Sequence, residues 1–185
     1  MKTPLIVLTG PSGVGKGTLQ RQLLTSFPDL RVAVSATTRP ARPGERDGQH
    51  YHFLSDARFE EMSRAGAFIE QAVYNGHRYG TLRSEIAQLA RSARLGLVEL
   101  EVQGAAQLRA AGVDGVYVFL APPSVQELRR RLTGRGTEDD AQIERRVSVA
   151  EREIAQQHLF DRVVVKHRLD DAYRELSAVV RAALG

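Results

Sequence analysis

Residues 7–18 read VLTGPSGVGKGT, and this stretch limits the fold more than any other in the chain. An apolar, strand-like run at 5–8 feeds a turn carrying Gly10, Pro11, Ser12, Gly13, Val14, Gly15, Lys16, Gly17 and Thr18. Gly10, Gly15 and Lys16 fit the pattern G-x-x-x-x-G-K-[ST], whose glycines turn backbone N–H groups toward phosphate oxygens and whose lysine reaches the β- and γ-phosphates. The loop works where a buried strand enters it and a helix leaves it, because the helix N-terminus adds partial positive charge. The final position of the pattern is Gly17 rather than a hydroxyl residue, and the hydroxyl follows one place later at Thr18.

The rest of the chain supplies a sheet to carry such a loop. Apolar runs at 30–34, 97–102, 116–121 and 162–165 read as strands, and VYVFLA at 116–121 has no polar face, as a central parallel strand requires. Segments 15–26, 82–93, 103–111, 124–132, 140–157 and 170–184 carry helical spacing. Alternating strands and helices imply a parallel α/β sheet with helices on both faces. Two stretches interrupt the alternation. From about 36 to 81 the chain turns to TTRPARPGERDGQ, too rich in proline, glycine and charge for a regular element, then to a strand-like HYHFLS, a helix at 56–65, and a strand pair joined at Asn75-Gly76. Residues 133–146 form a second, smaller interruption containing TGRGTEDD.

Composition narrows the classes. The 185 residues suit one domain, and 42% hydrophobic with 26% charged residues is ordinary for a globular chain. No apolar run approaches membrane-spanning length. Residues 1–4 lead into a strand without an apolar leader, which argues against export. The absence of cysteine excludes disulfides and thiolate chemistry and fits the cytosol. The net charge of +4 rests on 26 cations, of which Lys2, Lys16 and Lys166 are the only lysines. The arginines are scattered among acids with one run, Arg129 to Arg131, so they do not form a nucleic-acid stripe. His50, His52 and His77 lack metal-ligand spacing.

The Gly-Lys-Gly-Thr ending of the loop resembles that of adenylate-kinase-type small-molecule kinases. Three further segments, SATTRPARPGERDGQHYHF at 35–53, GAFIEQAVYNGHRYGT at 66–81 and LEVQGAAQLR at 100–109, resemble the guanylate kinase family, in family order over nearly the whole chain. The resemblance implies a phosphate-loop three-layer fold with a core at 1–34, 82–132 and 147–185. It adds a GMP-binding α+β lobe at 35–81 and a helical lid at 133–146. It implies transfer of phosphate from ATP to GMP, with dGMP as a further acceptor, and Mg²⁺ as the cofactor. Residues 10–18 then bind ATP, with Lys16, Arg39, Arg131, Arg135 and Arg146 as the catalytic cations. The GMP side takes Ser35, Arg39, Arg42, Tyr51, Glu70, Tyr79, Thr81 and Glu101. The chemistry agrees: forked guanidiniums suit a phosphate monoester, and a carboxylate receives the N1–H and N2–H₂ of guanine while hydroxyls donate to O6. Because Gly17 offers no oxygen, Mg²⁺ is expected to lean on water, with Thr18 or Glu99 as the protein candidates.

Two positions depart from the family pattern: Glu99 and Glu101 stand where aspartates are more usual, and Lys166-His167 stands where Asn-Asp is common near the adenine. Competing readings are a kinase for another phosphorylated small molecule, which needs no guanine set, and a peptide-binding guanylate-kinase-like module, which needs neither Lys16 nor lid arginines. Nothing in the sequence fixes the oligomeric state.

Overall fold

A computed structural model describes residues 4–74, 76–134 and 140–185. Five strands form the main sheet: β1 (Leu5–Thr9), β2 (Leu30–Val32), β7 (Leu95–Leu100), β8 (Val116–Ala121) and β9 (Arg162–Val165). Their order is β2-β7-β1-β8-β9, every pairing parallel. The strand that leads into the phosphate loop is therefore the middle one. All five residues of β1 are buried, which explains its unbroken apolar sequence.

Alternation along β1 divides the core into two layers. Ile6 and Leu8 pack with Leu19 and Leu23 of α1 (Lys16–Ser26) and Leu176 and Val180 of α7 (Leu169–Leu184). Leu5 and Val7 face the other way, onto Leu89 of α3 (Arg83–Ser92) and Leu108 of α4 (Val102–Ala110). Each enclosed leucine removes apolar surface worth about 1.5–3 kcal/mol. A third cluster joins α5 (Val125–Thr133) to α6 (Asp140–Ala155) through Leu128, Leu132, Ile143 and Val147.

The irregular stretch folds into a second sheet, order β4-β3-β6-β5, built from β3 (Ala36–Thr37), β4 (His52–Phe53), β5 (Phe68–Tyr74) and β6 (His77–Leu82). Helix α2 (Asp56–Arg64) covers it, capped by the Ser55 side chain, which accepts from the Arg58 N–H. The β5–β6 pair is the expected hairpin; Gly76 has φ +78°, and Asn75 lies outside the described residues. Three expectations need correction. HYHFLS shrinks to two strand residues because the preceding loop is tied by side chains, with Asp47 Oδ1 accepting from the Phe53 N–H at 2.8 Å. The strand expected at 97–102 runs two residues earlier, so Glu101 stands at the start of α4. The long helix stops at Ala155 and gives way to a 3₁₀ turn at Gln157–Leu159.

Candidate functional site

Register sets the ends of the core strands side by side. Thr9 pairs with Leu100 on one flank and Phe119 on the other, and Ala121 pairs with Val165. In open parallel sheets ligands bind beyond these carboxyl ends. The loop after β1, the acids at the end of β7 and the residue after β9 all meet there.

The loop has the conformation its glycines imply. Gly13 and Gly15 have φ of +88° and +99°, values that strain any residue with a Cβ. Gly15 is the N-cap of α1, so the helix opens directly onto the loop. Lys16 is 7% exposed, and its Nζ donates to the Gly10 carbonyl at 2.5 Å and lies 3.7 Å from Glu101 Oε1. Burial opposes its charge, but Glu101, Glu99 and Glu153 together hold the ammonium above its usual range. Arg146 of α6 reaches across to donate to Ser12 Oγ at 2.7 Å. Arg131 pairs with Glu127 at 3.0 Å on α5. Arg129 pairs with Glu144 and Arg130 with Glu127, as surface pairs. Arg135, expected beside Arg131 and Arg146, lies outside the described residues.

Opposite the loop, the second sheet gathers most of the expected acceptor set. Arg39 lies over the Tyr51 ring, its Cζ 5.3 Å from the centroid, and Tyr51 meets Tyr79 edge to face at 6.1 Å. A bidentate pair with Glu45, at 2.9 and 3.0 Å, fixes the Arg39 fork. Burial, with Glu99 across the cleft, pushes the Tyr51 phenol up. Glu70 is 5% exposed and sits opposite Thr81 in the β5–β6 register. Burial raises its carboxyl, with Thr81 pulling against it. A Cβ on Gly104 of α4 would lie 2.6 Å from Glu70 Oε2, so the core helix supplies the gap in which that carboxylate rests. Ser35 is half-buried, its carbonyl accepting from the His52 N–H at 2.9 Å. Arg42 is not gathered in: its side chain is exposed, while its backbone N–H donates to Glu45 at 2.7 Å. His52 instead bonds Glu85 of α3 at 2.9 Å, and among the described residues no three His, Cys, Asp or Glu side chains could hold a metal ion together.

Sequence reading missed two participants and noted a third only as a departure. Glu153, on the buried face of α6, is 8% exposed, and burial beside Glu101 pushes its carboxyl up to about 8. A carboxylate spaced three residues from Ala150 and seven from Arg146 was the available signal. Glu45, the partner of Arg39, was hidden in the irregular loop. Lys166 lies against the phosphate loop, its Nζ donating to the Val14 carbonyl at 3.0 Å.

A glycine-lined loop, a buried lysine at a helix N-terminus and facing arginines define a phosphate-loop phosphotransferase of the small-molecule kinase class. Comparison with known proteins carries this further. The family model described as guanylate kinase matches residues 2–183. A guanylate kinase from Leifsonia xyli is 47% identical over 173 residues, covering 93% of this chain and 68% of its own. One from Prochlorococcus marinus is 45% identical over 176 residues, covering 95% and 93%. The crystal structure of guanylate kinase from Anaplasma phagocytophilum superposes with a TM-score of 0.78 at 28% identity, over 98% of this chain and 86% of that one. The chain belongs to the guanylate kinase family.

Proposed function

We infer that the chain transfers the terminal phosphate of ATP to GMP, and to dGMP, yielding the diphosphate. The observation that carries this reading is the pairing of a complete phosphate loop with a facing lobe in which one buried carboxylate, Glu70, and one enclosed guanidinium, Arg39, stand ready for a base and a phosphate. In this reading the core, 1–34 with 82–132 and 147–185, holds the donor; the lobe, 35–81, holds the acceptor; and 133–146 is the lid.

Each residue then has a task. The amides of residues 10–18 and the Lys16 ammonium bind the donor phosphates and take up the charge that builds on them. Lys16 leaves Gly10 and Glu101 for phosphate oxygens, which offer a full negative charge in place of a carbonyl dipole. Arg39 exchanges Glu45 for the acceptor phosphate, with Tyr51 and Tyr79 donating beside it and Arg42 turning in. Glu70 receives the two guanine donors, Ser35 and Thr81 serve O6, and Glu101 borders the base. Adenine offers an acceptor at N1 and would leave Glu70 unpaired, a penalty of about 1–3 kcal/mol or more. Arg131, Arg135 and Arg146 close over the transferring phosphate. No protein base is needed, because the acceptor phosphate attacks as an anion.

The residues present fit Mg²⁺ held mostly by water and phosphate oxygens: Gly17 is exposed with open space beyond its Cα, and Thr18 and Glu99 are the protein oxygens that would assist. When bound, the ion would supply positive charge that offsets the charge of the donor phosphates. Among the described residues no helix is long and apolar enough to cross a membrane. We place the activity in the cytoplasm, consistent with a cysteine-free chain.

The test is ADP release with ATP-Mg²⁺ against GMP, dGMP, AMP, CMP and UMP. Turnover with the two guanine acceptors alone is expected. No turnover with GMP, or equal turnover with AMP, overturns the reading.

A further inference from the structure

Helix α6 is apolar along its buried face, through Ile143, Val147 and Ala150, until the next position of that face, which is Glu153. The residue is 8% exposed, and an acid there carries a desolvation cost that a hydrocarbon of similar size would not. Its carboxyl meets Glu101, whose other side faces Lys16. About two turns earlier in the same helix, Arg146 donates to Ser12 Oγ. One helix thus touches both the phosphate loop and the acids behind its lysine.

Glu101 is divided between two neighbours. It is the N-cap of α4, yet its side chain takes no N–H of that helix. Oε1 lies 3.7 Å from the Lys16 ammonium, an ion pair too long for a hydrogen bond. Oε2 is shut from solvent and receives no N–H or hydroxyl among the described residues, and the same holds for Glu153 Oε2. Two carboxylates in contact do not both stay ionised, and one proton between them satisfies both. Burial beside Glu101 pushes the Glu153 carboxyl up to about 8, so Glu153 carries that proton at neutral pH. Glu101 is then an anion held by a hydrogen bond on one side and a loose ion pair on the other.

We propose that Glu153 is a positioning residue for the phosphate-loop lysine: it retains Glu101 through a hydrogen bond, so that Lys16 is free to leave for the donor phosphates. This deepens the reading that the loop takes a nucleoside triphosphate, and rests on it. When Lys16 moves to phosphate, Glu101 loses its cation while still partly buried, and a buried carboxylate without a partner is unfavourable. The hydrogen bond from Glu153 lowers that cost. Without it Glu101 has Lys16 alone, and the carboxylate competes with the phosphates for one ammonium. Glu153 touches neither nucleotide in this role; it acts through Glu101.

The test uses the full chain and calorimetric binding of the non-hydrolysable β,γ-imido analogue of ATP. Glu153→Leu, close in volume and without a donor, is expected to weaken the analogue about ten-fold, the size of a lost charge-assisted hydrogen bond. Its melting temperature should hold or rise, because a buried acid gives way to a hydrocarbon. Glu153→Gln still donates, through its amide, and should stay within about three-fold of the parent. In a Glu101→Gln background no carboxylate is left there to claim Lys16, so Glu153→Leu should cost less than about two-fold. Unchanged affinity in Glu153→Leu overturns the proposal. So does a loss in Glu153→Gln equal to that in Glu153→Leu, or the full loss carried over into the Glu101→Gln background. Should Glu153→Leu not fold, Glu153→Asp, which withdraws the carboxyl by one methylene, replaces it, with the same affinities expected and the same results overturning the proposal. A parent chain that does not bind the analogue overturns both this proposal and the reading beneath it. Because binding is read without turnover, a chain that shows the expected pattern yet fails to phosphorylate GMP refutes the activity and leaves the role of Glu153 standing.

Discussion

In the parallel sheet the enclosed residues run through five strands and helices on both faces, and Val7, Leu8, Val98 and Val118 are wholly shut from solvent. In the inserted lobe the enclosed apolar set is Ala36, Phe59, Phe68 and Leu82, with Phe59 stacked on Phe68 at 4.4 Å. The lobe makes up the difference with polar ties to the core. His52 bonds Glu85, whose other oxygen accepts from the Val34 N–H at 2.9 Å, and Gln107 of α4 exchanges two hydrogen bonds with the backbone of Gln71. A small core with many polar ties opens at lower free energy than a large apolar one. On the proposed reading, the donor loop thus sits on the stiff unit and the acceptor set on the soft one.

The sharpest test of that division is Lys16→Met. It should lower kcat about 10²- to 10³-fold, the effect of removing a principal charge-stabilising donor, while GMP affinity stays within about two-fold in direct binding. A large loss of GMP affinity would show that the two units do not act separately. Next is Phe59→Ala, which removes half of the lobe's aromatic stack and should cost about 3–4 kcal/mol locally. Hydrogen exchange should accelerate in α2, β5 and β6 and not in β1 or β7, with the KM for GMP rising steeply and ATP binding kept; uniform acceleration would erase the distinction. Glu70→Gln should raise the KM for GMP at least ten-fold and that for ATP under two-fold in steady-state assays.

A pH titration tests the acids where the units meet. The native Glu153 carboxyl keeps its proton up to about 8, whereas an unfolded glutamate releases it near 4.5. The native state therefore binds more protons across that window, and stability is lost as pH rises toward 8, by at most about 1.4 kcal/mol per pH unit for one proton. Burial moves Glu70 and Glu99 in the same direction. Melting temperature should fall between pH 5 and 8, and Glu153→Gln, which cannot ionise, should flatten the slope. The smallest effect belongs to Gln107→Ala, where two exposed hydrogen bonds are lost: the KM for GMP should change only a few-fold in the same assays, with kcat held.

The phosphate loop and the parallel α/β core were legible because each announces itself locally, by glycine spacing and periodicity, whereas Arg39, Tyr51, Glu70 and Tyr79 were singled out by family resemblance, not by any local pattern. Lys166 was noticed only as a departure, because its place against Val14 depends on the register of β9 with β8, which no local pattern encodes. Glu153 was hidden for a similar reason: it reaches Glu101 only when α6 folds over the end of β7. Strand β3, two residues long, is held by partners on both sides rather than by its own sequence.

Gly104 stands inside a helix, where glycine costs about 1 kcal/mol relative to alanine, and the space it leaves is filled by an oxygen of Glu70 from another sheet. The two positions are thereby bound into one inheritance. A methyl at 104 is tolerable only with a shorter acid at 70, and a longer side chain at 70 only while 104 stays bare. Drift in the helix and drift in base preference must travel together, so a lineage that changed its acceptor here should carry its record in α4, in a residue that need not touch the nucleotide.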